Sequence, residues 1–179
     1  MSIKKVGIIN YGSSNLYSLQ NALSAIGYSS KVINKYNEVK SFDAVFLPGV
    51  GSFSVSIKML KENGFYDEIN KFINSGKPFF GICLGFQLLF TKSFEFGVNN
   101  GLNIFDGEIV HLKNKINVVP NIGWQKLNFK KKNNFLNSSS FYAYFVHSFY
   151  AKLKDQSIEN SNVKIDGFTF CTSVMRDNI

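Results

Sequence analysis

The stretch Lys77 to Phe90, K-P-F-F-G-I-C-L-G-F-Q-L-L-F, constrains the fold more than any other, because it sets one cysteine between two glycines where a buried strand passes into a helix. Pro78 opens an apolar run, Phe79 to Ile82, of the kind that fills a parallel strand covered on both faces. Leu84 to Phe90 has the apolar crowding of a helix packed back on that strand. The turn between them, G-x-C-x-G, forces its central residue into a strained backbone, and Gly81 and Gly85 leave room for close approach of strand and helix. Cys83 is then presented at the carboxyl end of the sheet. There the first N–H groups of the helix, that of Leu84 among them, favour a thiolate or a developing oxyanion. The pentapeptide alone also fits a buried structural cysteine beside two packing glycines, since free cysteine is among the most buried residue types. The flanking strand and helix are what point to a nucleophile.

Upstream, Lys4 to Asn10 is an apolar strand ending in Tyr11-Gly12-Ser13-Ser14, with Asn15 placed to cap a helix. The helix runs to Ile26 with Leu16, Leu19, Leu23 and Ile26 at helical spacing, and Gly27 stops it. A second strand, Lys31 to Ile33, completes a β-α-β unit, so the sheet begins parallel. Asp43 to Leu47 is a third buried strand, followed by Pro48-Gly49-Val50-Gly51-Ser52-Phe53. Two glycines directly after a strand let backbone N–H groups face the cleft at the sheet's carboxyl edge, although G-V-G taken alone is more simply a tight turn. Ser54 to Asn63 and Phe65 to Ser75 read as helices, with Gly64 between them and Gly76 as a stop.

Beyond Phe90 the pattern changes to strand after strand. Leu102 to Leu112, Val118 to Phe129, Tyr142 to Leu153 and Lys164 to Met175 are rich in aromatic and β-branched residues and are separated by Asn, Lys, Ser and Gly clusters. These strands are expected to be antiparallel, and the Asn/Lys/Ser stretches near Asn133 and Asn160 to be loops. The expected class is therefore α/β, a parallel central sheet with additional antiparallel strands in the second half. All 179 residues fit one domain, 1–179.

Composition excludes several function classes. No apolar run is long enough to span a bilayer, and Met1 to Gly7 lacks the core and cleavage site of a signal peptide, so a cytoplasmic protein without membrane contact is expected. Cys83, Cys171, His111 and His147 show neither a disulfide framework nor metal-ligand spacing, so no metal or cofactor is expected. The net charge of +8 invites a nucleic-acid partner. Against it, Arg176 is the sole arginine, the lysines are scattered, and the one dense run, Lys130 to Lys132, reads as a solvated loop with Asn133 and Asn134. No nucleic-acid partner is expected.

Three stretches together, P-G-V-G-S-F at Pro48 to Phe53, G-I-C-L-G-F-Q-L-L-F at Gly81 to Phe90 and F-Y-A-Y-F-V-H-S-F-Y at Phe141 to Tyr150, make the chain resemble the class I glutamine amidotransferases. The opening N-Y-G-S-S-N-L and V-P-N-I-G-W at Val119 to Trp124 bring the resemblance closest to the branch serving imidazole glycerol phosphate synthase in histidine biosynthesis. The resemblance implies a flavodoxin-like three-layer sandwich and a glutaminase in which Cys83 attacks the side-chain amide of glutamine and releases ammonia. It implies backbone oxyanion donors at Val50, Gly51 and Leu84, and substrate contacts at Gly49 and Gln87. Asn15, Pro120, Asn121, Gly123, Trp124 and Tyr144 match positions facing a partner, a (β/α)8-barrel cyclase subunit that would form a heterodimer and use the ammonia. From the residues alone, Gln87 also fits an exposed helix position and Trp124 an ordinary core aromatic.

The chain departs from the family's pattern in ways that bear on function. Asn10 stands where the family usually has aspartate, Ser14 where it has glycine, and Asn121-Ile122-Gly123-Trp124-Gln125 where it commonly reads His-Met-Gly-Trp-Asn. The family's base is a histidine in a His-Pro-Glu motif shortly after a segment like Arg176-Asp177-Asn178-Ile179. The sequence ends there, so the resemblance implies a domain truncated at its C-terminus and lacking the base and its glutamate. His147 matches a non-catalytic family histidine, and His111 reads as an edge residue. Three alternatives stay open: ammonia supply to a sugar amidotransferase of surface-glycan synthesis, a non-catalytic docking subunit, and a thiol hydrolase with the same elbow.

Overall fold

The computed structural model describes residues 5–130 and 141–179. Lys4 as the start of the first strand and Lys131, Lys132, Asn133 and Asn134 as loop residues lie outside the described residues. The first half alternates strand and helix: β1 Val6–Ile9, α1 Leu16–Ala25, β2 Ser30–Ile33, β3 Ala44–Leu47, α2 Phe53–Glu62, α3 Phe65–Asn74, β4 Phe79–Gly81 and α4 Leu84–Gln87. The four strands form a parallel sheet in the order β2-β1-β3-β4.

Alternation decides which helix covers which face of this sheet. Val6 and Ile8 of β1 bury against Leu23 of α1, with Leu16 and Leu19 packed around them. Ile9, Val45, Leu47 and Phe79 point the other way, into a cluster with Phe53, Leu60, Phe65, Ile69 and Phe72 from α2 and α3. Burying one such side chain is worth about 1.5–3 kcal/mol, so this doubly covered layer anchors the strand ends that carry the site. Ile26, expected on the buried face of α1, instead follows the helix as its C-cap and is 69% exposed.

The second half is a separate eight-stranded sheet. It comprises β5 Phe90–Ser93, β6 Asn99–Asn100, β7 Phe105–His111, β8 Asn121–Phe129, β9 Phe141–His147, β10 Phe149–Leu153, β11 Glu159–Ile165 and β12 Phe168–Val174, in the order β6-β5-β7-β10-β12-β11-β8-β9. Its pairings are antiparallel, as the aromatic and β-branched runs suggest, except that β5 lies parallel to β7.

Three boundaries differ from the sequence reading. The expected helix Leu84 to Phe90 ends at Gln87, because Phe90 is drawn into strand β5 beside Phe105. Lys164 to Met175 is a hairpin turning at Gly167 rather than one strand. Tyr142 to Leu153 is broken by a bend at Ser148, on one side of which the chain pairs with β8 and on the other with β7.

Candidate active site

Cys83 sits between β4 and α4 at the carboxyl end of the parallel sheet, with φ 55 and ψ −117. A non-glycine residue there is strained, and the strain is held because neither neighbour can move. A Cβ on Gly85 would lie 1.8 Å from the Leu47 carbonyl oxygen, and one on Gly81 would lie 2.8 Å from the Phe86 Cα. The two glycines thus let α4 ride directly on β3 and β4, as the G-x-C-x-G spacing demands. The thiol is exposed, whereas Cys171 is buried and burial pushes its thiol up to about 12.

A cleft of about 810 Å³ opens over the sulfur, lined among others by Val50, Gly51, Cys83, Leu84, Gln87 and Glu95. Gln87, one turn into α4, therefore faces the same space as Cys83. Gly49 lies beneath the turn rather than in the cleft lining: a Cβ there would meet the Tyr11 hydroxyl at 2.6 Å and the Gly85 nitrogen at 2.8 Å. The Tyr11 hydroxyl is itself buried, and burial raises it to about 12 against the opposing effect of the neighbouring Ser56 hydroxyl.

The oxyanion donors are not equivalent. Among the described residues, no acceptor takes the N–H of Gly51 or of Leu84. The Val50 N–H is different: it donates to the Ser13 carbonyl at 3.1 Å, and the Ser13 hydroxyl donates back to the Val50 carbonyl at 2.5 Å. As the turn stands, the N–H groups of Gly51 and Leu84 are free to meet an oxyanion, whereas that of Val50 is engaged.

Glu95 is a site residue that the sequence reading missed. It reaches the cleft from the loop after β5, where its carboxylate accepts from the Phe53 N–H at 2.6 Å and so caps α2. One acidic residue in a loop carries no sequence signal; only the folding of β5 against β7 brings it opposite Cys83.

Neither histidine is arranged as a base for Cys83. His111 lines the cleft, but its Nδ1 accepts from the Lys113 N–H at 2.8 Å, which puts its proton on Nε2. His147 is engaged at both nitrogens, by Asn121 at 2.9 Å and by the Phe149 carbonyl at 2.8 Å, and burial lowers its pKa.

The residues expected to face a partner separate into three environments. Trp124 and Tyr144 are opposite one another on β8 and β9, their rings 5.6 Å apart and 69° inclined, with 68% and 55% of their surface exposed. Ile122, Tyr142 and Val146 extend this exposed face, Gly123 lies in the same ribbon, and Pro120, joined to Val119 by a cis bond, precedes it. Asn121 is instead 5% exposed. Asn15 is exposed at the start of α1, where its side chain accepts from the Ser18 N–H at 3.2 Å.

The family model described as glutamine amidotransferase class-I matches residues 7–176. Imidazole glycerol phosphate synthase subunit HisH of Caldanaerobacter subterraneus subsp. tengcongensis is 43% identical over 97% of this chain and 86% of its own length. The HisH subunit of Wolinella succinogenes is 37% identical over 97% and 87%, and that of Aquifex aeolicus 39% over 96% and 84%. Among solved structures, a glutamine amidotransferase superposes with a TM-score of 0.71 at 16% identity, covering 93% of this chain and 87% of that one. PurLQS from Thermotoga maritima gives 0.70 at 17% identity, covering 93% and 78%. At such identities the structural likeness speaks for the fold.

Proposed function

This chain belongs to the class-I glutamine amidotransferase family, and from that premise we propose that it is the glutaminase subunit of an imidazole glycerol phosphate synthase. It would hydrolyse glutamine to glutamate and ammonia for a cyclase subunit in histidine biosynthesis. The observation that carries the chemistry is the strained, exposed Cys83 at the carboxyl end of the sheet, in one cleft with Gln87 and Glu95. The identity of 34–43% to HisH subunits over most of the chain supports the choice of synthase.

In this reading the Cys83 sulfur attacks the glutamine carboxamide carbon, and the oxyanion falls to the N–H groups of Gly51 and Leu84. Collapse expels ammonia and leaves a glutamyl thioester, which water then hydrolyses. Gln87 holds the substrate, and Glu95 supplies the negative charge that its α-ammonium needs. Both proton transfers call for a base that neither His111 nor His147 provides in the arrangement described above. The described residues by themselves are therefore expected to form covalent adducts readily and to turn over slowly.

The exposed ribbon face of Ile122, Trp124, Tyr142, Tyr144 and Val146 is the docking surface in this reading, since contiguous apolar exposure of this kind marks an interface. Its partner is a barrel-shaped cyclase that receives ammonia before water protonates it. The pair works in the cytoplasm. Among the described residues no helix is long and apolar enough to cross a membrane.

The test is covalent. A diazoketone analogue of glutamine should label Cys83 faster than it labels small-molecule thiols, and glutamine should protect. Labelling without glutamine protection would overturn the reading.

A further inference from the structure

Asn121 and His147 face one another across β8 and β9, in register, and the polar chain they belong to is closed at both ends. Gln125 Nε2 donates to Asn121 Oδ1 at 3.1 Å, which fixes the orientation of the Asn121 amide. The Asn121 amide nitrogen can then only donate, so His147 Nε2, at 2.9 Å, is an acceptor without a proton. The remaining ring proton is on Nδ1 and goes to the Phe149 carbonyl at 2.8 Å. The imidazole is also flanked by Phe145 and Phe170, with ring centroids 5.5 Å from it in each case.

Side chains four residues apart on an extended strand are separated by about 13 Å. Gln125 nevertheless reaches Asn121 along β8, whose backbone has a positive φ of +143 at Gly123 between them. The far end of the chain is the bend at Ser148, where the backbone leaves β8 and joins β7, with Leu112 N–H donating to the Ser148 carbonyl at 2.8 Å. His147, Ser148 and Phe149 line the cleft that holds Cys83, Gln87 and Glu95.

We infer that His147 is a positioning residue, held by Asn121 and Gln125 in a single neutral tautomer, which braces the Ser148 bend as the cleft wall that receives glutamine. This rests on the glutaminase reading and adds to it a specificity device within this chain. A single asparagine here both donates to His147 and accepts from Gln125. The brace acts on substrate fit and leaves the thiol itself untouched.

The test compares two reagents on the full chain: the diazoketone analogue of glutamine, which must fit the cleft, and iodoacetamide, which need not. Asn121→Ala should lower the analogue-to-iodoacetamide rate ratio at Cys83 about tenfold or more, with the iodoacetamide rate nearly constant, as expected for a displaced wall. Asn121→Asp should restore most of the ratio, because a carboxylate can hold His147 once both ring nitrogens carry protons. Nitrogen-15 spectra should show His147 as the Nδ1–H tautomer in the wild type and as imidazolium in Asn121→Asp at neutral pH. A ratio unchanged by Asn121→Ala, or a wild-type His147 protonated on Nε2, overturns the inference. Should Asn121→Ala not fold, the ratio and spectrum of Asn121→Asp decide. A wild type that shows no preference for the analogue overturns the glutaminase reading, and the brace with it.

Discussion

Ser13 and Val50 hold each other by two hydrogen bonds, Val50 N–H to the Ser13 carbonyl at 3.1 Å and Ser13 hydroxyl to the Val50 carbonyl at 2.5 Å. This pair joins the loop after β1 to the turn after β3 and occupies the Val50 N–H. That N–H becomes free to meet an oxyanion only if the Gly49–Val50 peptide, which carries it, turns over and breaks its bond to the Ser13 carbonyl.

Ser13→Ala removes one of the two restraints while leaving the backbone contact. A glutamine-derived aldehyde, which adds to the thiol as a tetrahedral adduct, should therefore bind several-fold more tightly to the variant. A full oxyanion donor is worth about 10²–10³ in rate, so a partial release gives a fraction of that. Unchanged or weaker affinity in an inhibition titration would mean that Ser13 supports the productive turn instead.

Alkylation should discriminate between the two cysteines. Burial raises the Cys171 thiol to about 12, so at pH 8 only about one part in ten thousand is thiolate, behind a surface that is 9% exposed. Peptide mapping should find label on Cys83 alone, and Cys83→Ala should abolish labelling. Label on Cys171 in the folded protein would contradict the site assignment.

Trp124→Ala should weaken association with a cyclase subunit by about 2 kcal/mol, roughly thirtyfold, as for a central interface aromatic. Lys58→Ala is the comparison, since that side chain is 74% exposed on α2 with only a 3.7 Å contact to Glu62. Equal losses for the two variants in a binding titration would remove the ribbon as the docking face.

The buried His147 makes stability depend on pH. Its folded pKa lies below the ordinary 6.5, chiefly through burial, so the unfolded chain binds the proton more readily. Stability from this residue is present above pH 6.5 and declines as pH falls below it. Urea midpoints at pH 7.5 and 5.5 should show a smaller drop for His147→Gln than for the wild type. Equal drops would mean that His147 does not carry the effect.

How far the sequence alone reached depends on how local each signal was. The parallel half was legible because its signals lie within a few residues: the apolar runs of Val6–Ile9 and Ala44–Leu47, the helical spacing of Leu16, Leu19 and Leu23, and the two glycines around Cys83. The strain at Cys83 follows from the same five residues that announce it. The second half was legible as strands but less so as pairings. Nothing in Phe141–Leu153 states that its two ends serve different neighbours, and β5 begins at Phe90, the last residue of a run that reads as helix.

What the sequence determined by itself was the cysteine at its strand-to-helix elbow, the order of the parallel strands and helices, and the family. Tertiary structure decided which groups share the cleft with that cysteine. Glu95 enters the cleft because β5 pairs with β7, the Val50 N–H is occupied because Ser13 is near it, and Asn121 is buried because β8 and β9 face His147 toward it. The physical reason is the range of the interactions. Backbone strain, periodicity and capping are fixed by neighbours along the chain, whereas a hydrogen bond between strands 26 residues apart exists only once the whole sheet has formed.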